Sequence, residues 1–472
     1  MKRSFYYILL LASIAVTLNS CLGDNDDYVY YDDAGIVSFS LTTANVYSTT
    51  ISSDGKTTTT KAELKNGTYR FHIDQLKHEI YNPDSLPVGT DAKHILVSAS
   101  AKMGGTLYLK SITSDSVKVF NSNDSVDFSS PRTMIVVSHS GKLRMEYKVS
   151  VNIHKQEGNQ MTWSAPATAE PAEDYTEGMK IVEFNGRMYI FGSDGEKTEG
   201  CASDITDGKK WEQLASSLST PFDADAYKSL IVQGDNLYIL SGGKVLSSPD
   251  GEDWSEVAST DAKQLLGATP WRMYALSADG MIAVSTDGGV TWKSEDIDGD
   301  AAMLPTTDIS MCYNPLKTNP DAYQVIIVGR GDSETELKGR IWGKVEENSQ
   351  YSQDNAWTSY GDYDGNKYPA PALVSMQAIA YDEGFVLFGG NGIGETGYRE
   401  YSTFYKSLDG GLSWRTDNGM TLPDEFICTN DVMAMTVDSD NCIWIVCGAS
   451  GQVWHGRLNK LGWEEYKQYY KE

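Results

Sequence analysis

The residues best equipped for chemistry cluster in a few loops. Tyr398-Arg399-Glu400-Tyr401 sets two phenols around a carboxylate beside a guanidinium, and Arg187, Arg330 and Arg340 offer further cations. A Tyr–Glu nucleophile pair with an arginine cluster for a substrate carboxylate is what sialidase-type cleavage uses, an exception among glycosidases. No Arg-Ile-Pro motif opens the region holding these residues, which counts against that activity. With 65 Asp and Glu, a two-carboxylate hydrolase stays open, because such pairs form in space and not in sequence. Copper oxidation needs several imidazoles, and His455 is the only histidine after His154. His72, His78, His94, His139 and His154 show no metal-site spacing and read as surface or strand residues.

Asp296-Ile-Asp-Gly-Asp300 and Asp362-Tyr-Asp-Gly-Asn366 open like calcium loops. Thr307 and Leu373 stand where the bidentate Glu of an EF-hand would be, so an EF-hand is excluded while a simpler loop calcium site stays open. Cys201, Cys312, Cys428, Cys442 and Cys447 lack a CxxC pair and a histidine close in sequence. They read as small buried hydrophobes, and Cys442 and Cys447, five apart on one strand, should not bond to each other. No metal, cofactor or catalytic residue is therefore assigned.

A different constellation recurs and must be architectural. Ser247–Trp254, Ser285–Trp292 and Ser407–Trp414 each carry an Asp-Gly pair followed by a Trp, and Ser203–Trp211 is a worn copy. The aspartates are Asp207, Asp250, Asp287 and Asp409; the tryptophans are Trp211, Trp254, Trp292 and Trp414. In a hairpin turn the Asp accepts from turn amides, Gly supplies positive φ, and the Trp opens the outgoing strand and buries its ring. This pattern resembles the Asp-box (BNR) repeat of sialidase-like β-propellers. The resemblance implies blades of four strands, with each box a structural staple between the third and fourth.

Alignment on the Trp yields six units between about 160 and 470. They open near Lys180, Ser229, Gln264, Asp308, Ser375 and Val432 and close near Trp211, Trp254, Trp292, Trp357, Trp414 and Trp463. Six units predict six blades, and Trp163 suits an extra strand closing the last one. Insertions fall in the loops of the face opposite the boxes: 220–227, 329–340, 360–368 and 389–403. They put Tyr227, Arg330, Tyr363, Tyr368, Tyr398, Arg399 and Tyr401 on one expected ligand face. Rings beside charged groups suit a glycan, and Tyr-Gly-rich loops equally suit a protein.

Before this region, residues 34–155 hold short alternating strands. Thr133–Val137 and Leu143–Ile153 form a hairpin, and the whole reads as an antiparallel, Ig-like β-sandwich. The chain starts with Met1-Lys-Arg, an apolar run over Phe5–Val16 and Leu18-Asn-Ser-Cys21. The run is shorter than a membrane span and reads as a secretory leader. Its end resembles a bacterial lipobox, which implies cleavage after residue 20 and lipidation of Cys21. The acidic tether 21–33 resembles the export tag of surface lipoproteins in Bacteroidetes-type bacteria. With residues 1–20 removed the formal charge moves from −26 to −28, as Lys2 and Arg3 are lost. Such a chain repels nucleic acid and anionic lipid headgroups.

The expectation is thus an all-β chain: leader 1–20, tether 21–33, sandwich 34–155 and a six-bladed Asp-box propeller 160–470. It resembles uncharacterised outer-membrane lipoproteins of that bacterial group. The first expected function is non-catalytic binding of glycan or protein at the cell surface. The alternative is a glycoside hydrolase or lyase with paired carboxylates at the channel mouth. Asp84-Ser85, Asp115-Ser116 and Asp124-Ser125, each before an apolar residue, match a loose O-glycosylation motif of such exported proteins.

Overall fold

The computed structural model describes residues 31–51, 57–65, 67, 69–206, 208–333, 335–348, 355–360, 365–390, 401–417, 419–428 and 432–459. Cys21, Asp207, Tyr363, Tyr398, Arg399 and Trp463 lie outside them. Among the described residues the regular structure is strand, with four short 3-10 turns. The chain divides into two compact units at Glu157–Gly158.

In the first unit two sheets line one core. Three strands lie in the order Thr57–Lys65, Ile36–Ile51, Leu96–Ala101. Six lie in the order His72–Asp74, Glu79–Tyr81, Arg144–Ser150, Arg132–Val137, Thr106–Lys110, Val117–Val119. The alternation seen in sequence decides which side is buried. Tyr147 and Val149 point into the core with Leu107, Leu109, Met134 and Val136, while Glu146 and Lys148 face water. The hairpin over Arg132–Ser150 forms as expected.

The expectation of a wholly antiparallel arrangement needs correcting, because Glu79–Tyr81 runs parallel to Lys148–Ser150. Asn82, fully buried just beyond that pair, provides the physical reason. Its amide donates to Asn152 O at 2.9 Å, while Asn152 donates from N to Asn82 Oδ1 at 2.7 Å and from Nδ2 to Asn82 O at 2.8 Å. The two asparagines satisfy each other and hold the strands side by side in one direction.

In the second unit, described strands form six sheets of at least four strands, numbered 1 to 6 along the chain. Their first strands are Gly178–Phe184, Ile231–Gln233, Gln264–Ala268, Thr307–Leu316, Gln377–Tyr381 and Met433–Val437. Apolar, β-branched runs make these strands, and tight turns reverse them. Asn185 and Gly186, with φ of +49° and +73°, form the two-residue turn that matches strand twist.

Apolar clusters join sheet 1 to 2, 2 to 3, 3 to 4, 4 to 5 and 5 to 6. A sixth cluster, with Met188 and Ile190 against Ala434, Trp444 and Val446, joins sheet 6 back to sheet 1. Sheet 6 is completed from the other end of the unit: Met161–Trp163 pairs antiparallel with Gln452–Leu458, Thr162 facing Arg457.

Candidate functional site

The Asp-Gly turns behave alike. In sheets 2, 3 and 5, Ser248, Ser285 and Ser407 each donate to the aspartate two residues on and accept from a turn glycine amide at 2.8–2.9 Å. Asp287 Oδ1 and Asp409 Oδ1 each accept a backbone amide four residues later at 2.9 Å. The indole N–H of Trp254, Trp292 and Trp414 then donates to the carbonyl of Gly251, Gly289 or Gly411. Trp211 does the same with Gly208 at 2.8 Å. In that worn copy Asp204 takes the Thr206 amide at 2.9 Å.

Each turn glycine lies against the preceding sheet, with no room for a side chain at Gly208. A Cβ there would stand 2.3 Å from the Trp444 ring. Trp254 meets Phe191 and Phe222 edge-on, with ring centroids 5.9 and 5.2 Å away. These turns tie sheet to sheet and leave no reacting group over.

The opposite ends of the first strands surround a cavity of about 310 Å³. Lys180, Tyr227, Gln264, Asp308, Ser375 and Gln377 line it from sheets 1 to 5 or the turns leading into them, and Met433 comes from sheet 6. Lys180 Nζ and Gln264 Nε2 both donate to Lys228 O, at 3.3 and 3.2 Å. Lys180 is half-buried in this wall, and desolvation of its amine pushes the pKa down to about 8. Desolvation likewise raises the Tyr227 phenol to about 12, so it stays a neutral donor. The ring packs on Gly178, where a Cβ would lie 2.0 Å from the hydroxyl.

Asp308 Oδ2 accepts Arg330 Nε at 2.6 Å and the Ser375 amide at 3.1 Å. Both Asp308 and Ser375 adopt left-handed φ, +51° and +50°. Non-glycine residues held there store strain, a state concentrated at functional sites. Gln377 donates to Met433 O and accepts Met435 N, bridging sheets 5 and 6. The wall offers two amines, one carboxylate, one phenol, four aliphatic hydroxyls and two carboxamides.

The expected ligand residues divide. Tyr227 lines the cavity, and Arg330 backs it through Asp308. Tyr368 does not belong to it: it is exposed beside the Asp-Gly turn of sheet 5, its carbonyl accepting Trp414 N and Arg415 lying 4.1 Å over its ring. Tyr401 is buried, packed on Phe388 in the cluster between sheets 5 and 6, because an apolar pocket takes its ring. Arg187 sits at the far end of sheet 1 beside Tyr189, and Arg340 is held by Glu336 at 2.8 Å. Asp308 is the one carboxylate among the described lining residues, which do not form the acid pair of the hydrolase alternative.

Lys180, Gln264, Asp308, Ser375 and Gln377 were missed as ligand groups. The available signal was positional: a polar residue at or just before the apolar run that opens a repeat. Cys442 is also corrected. It has a histidine neighbour after all, since its sulfur, Asp438 and His455 bring ligand atoms within 4.8 Å of one another. The five described cysteines form no disulfide.

The second unit is a β-propeller domain: residues 157–466 match the family model described as the DUF6242 β-propeller domain. Residues 39–151 match the DUF6242 N-terminal domain of unknown function, and the chain belongs to the DUF6242 family. No curated protein matches it in sequence. Similar solved structures include a structural-genomics protein of unknown function from Bacteroides thetaiotaomicron, at 11% identity and TM-score 0.39 over 82% of this chain and 98% of that one. Another is a Penicillium chrysogenum α-L-arabinanase with arabinobiose, at 11% identity and TM-score 0.38 over 62% and 98%. A third is a lectin, SapL1, with α-methyl fucoside, at 12% identity and TM-score 0.36 over 58% and 90%.

Proposed function

We propose that this protein is a lipid-anchored, cell-surface binding module that takes a hydroxyl-rich glycan into the cavity of a six-bladed propeller. The observation carrying this reading is the wall just described, where neutral donors and acceptors converge with Lys180, Asp308 and one phenol ring. Sugars are bound by such sets: hydroxyls take amides and carboxylates, and a ring covers an apolar sugar face. The six sheets, with clusters closing from sheet 6 to sheet 1, support six blades, and the four Asp-Gly turns support Asp-boxes as their staples. The first unit, with two sheets on one core, serves as a β-sandwich spacer over residues 34–155. Cys21 is the anchor, placing the protein on the outer membrane of a Bacteroidetes-type bacterium with the acidic tether outward.

A glycan array, followed by calorimetry and product analysis on each hit, tests the reading. Binding without new reducing ends, weakened about tenfold or more by Asp308→Asn or Gln264→Ala, is the expected result. Bond cleavage establishes an enzyme instead, and no glycan binding removes the ligand assignment.

A further inference from the structure

The far end of sheet 6 carries a second constellation. Asp438 follows the strand Met433–Val437 and begins the turn into Ile443–Cys447. The turn is closed by Asp438 N donating to Cys442 O at 2.9 Å. Asp438 Oδ1 accepts the amides of Asp440 and Cys442 at 2.9 and 2.8 Å, and Oδ2 accepts the Trp444 indole at 2.6 Å. Three hydrogen bonds thus fix a carboxylate that is almost fully buried, leaving Oδ2 a further lone pair.

His455 lies opposite Trp444 on the neighbouring strand, with ring centroids 4.4 Å apart. Its buried Nε2 makes no close hydrogen bond and faces Asp438 Oδ2 at an ion-pair distance of 3.5 Å. The Cys442 sulfur makes a weak 3.9 Å contact with Asp440 O.

The geometry points to a divalent transition-metal site, for zinc or a similar borderline-soft ion, formed by Asp438, Cys442 and His455. One nitrogen, one sulfur and one oxygen donor within 4.8 Å of one another are the ligand types such ions select. A tetrahedral ion with bonds of about 2.0–2.3 Å puts its ligands roughly 3.3–3.5 Å apart. Rotation of the half-buried Cys442 side chain supplies the contraction. Three protein ligands leave a fourth position to water. The indole and amide bonds to Asp438 are the outer shell that orients a metal-binding carboxylate. This site stands apart from the cavity, at the other end of the same sheet.

Cobalt(II) and zinc(II) titrations of the full chain, free of a histidine tag and kept reduced without thiols, test it. The expected result is one equivalent bound, with a thiolate-to-cobalt absorption band. Cys442→Ser should abolish the band. His455→Gln should weaken zinc by more than the roughly 10–100-fold that loss of an outer-shell partner costs. Cys312→Ser should bind as the parent does. An absent band, or one that survives Cys442→Ser, overturns the assignment. Cys442→Ser decides it even if His455→Gln fails to fold, because the Cys442 amide that holds Asp438 is retained.

Discussion

Asp308 and Ser375, 67 residues apart in sequence and on neighbouring sheets, share one hydrogen bond of 3.1 Å and the same left-handed backbone. Asp308→Ala would strip Arg330 of its partner and leave the Ser375 amide without its acceptor. Both side chains of the ion pair are about four-fifths covered. Loss of the charge-assisted bonds should destabilise the domain by about 1–3 kcal/mol, measured by urea unfolding. Asp308→Asn, which keeps an acceptor, should cost less than half as much. Equal effects would mean the charge contributes nothing.

Lys180 yields a pH signature. Its folded pKa, about 8, lies below the ordinary lysine value of 10.5, so the unfolded chain binds more protons between those limits. Stability from this group therefore rises with pH from about 8 to 10.5. Lys180→Met should melt higher than the parent at pH 7, and the difference should shrink steadily as pH approaches 10.5. A constant difference would contradict the burial of the amine.

The Asp-Gly turn of sheet 3 titrates in the other direction. Hydrogen bonds from Thr291, first its hydroxyl and then its amide, with Ser285, hold Asp287 at about 2, against 3.8 unperturbed. Its contribution is complete above pH 4 and lost as pH falls towards 2. Acid unfolding profiles of the parent and Asp287→Asn should converge over that range.

Burial ranks the tryptophans. Trp254 is 7% exposed and wedged against Phe191 and Phe222, so Trp254→Ala should cost about 3–5 kcal/mol. Trp292 is half-buried, and its replacement by Ala should cost about 1–2 kcal/mol. Calorimetric melting of both variants checks the order.

Ser116 and Ser125 are exposed and Ser85 is partly covered. If the O-glycosylation motif operates, native protein digested and weighed by mass spectrometry should carry sugar at Ser116 and Ser125 before Ser85. Bare serines at all three positions end that reading.

The repeat was legible because its chemistry is local. An Asp, a Gly and a Trp within a few residues fix a turn wherever it occurs, and Trp211, Trp254, Trp292 and Trp414 each precede the fourth strand of a sheet. The ligand wall was less legible, because its polar members come from five repeats and meet only when strand ends converge. Tyr401 illustrates the difference. Its loop composition suggested a rim, but a Phe388-lined gap between two sheets claimed the ring. Tyr368 was drawn away likewise, by Trp414 and Arg415. The parallel pairing of Glu79–Tyr81 depends on one distant asparagine, Asn152, which no periodicity reveals.

The strand Met161–Trp163 is made long before its partner Gln452–Leu458: Thr162 and Arg457, which face each other, are 295 residues apart. Until the later strand has been made, sheet 6 carries an unpaired edge, and such edges invite association with other chains. Final closure is also a long-range event, which slows folding.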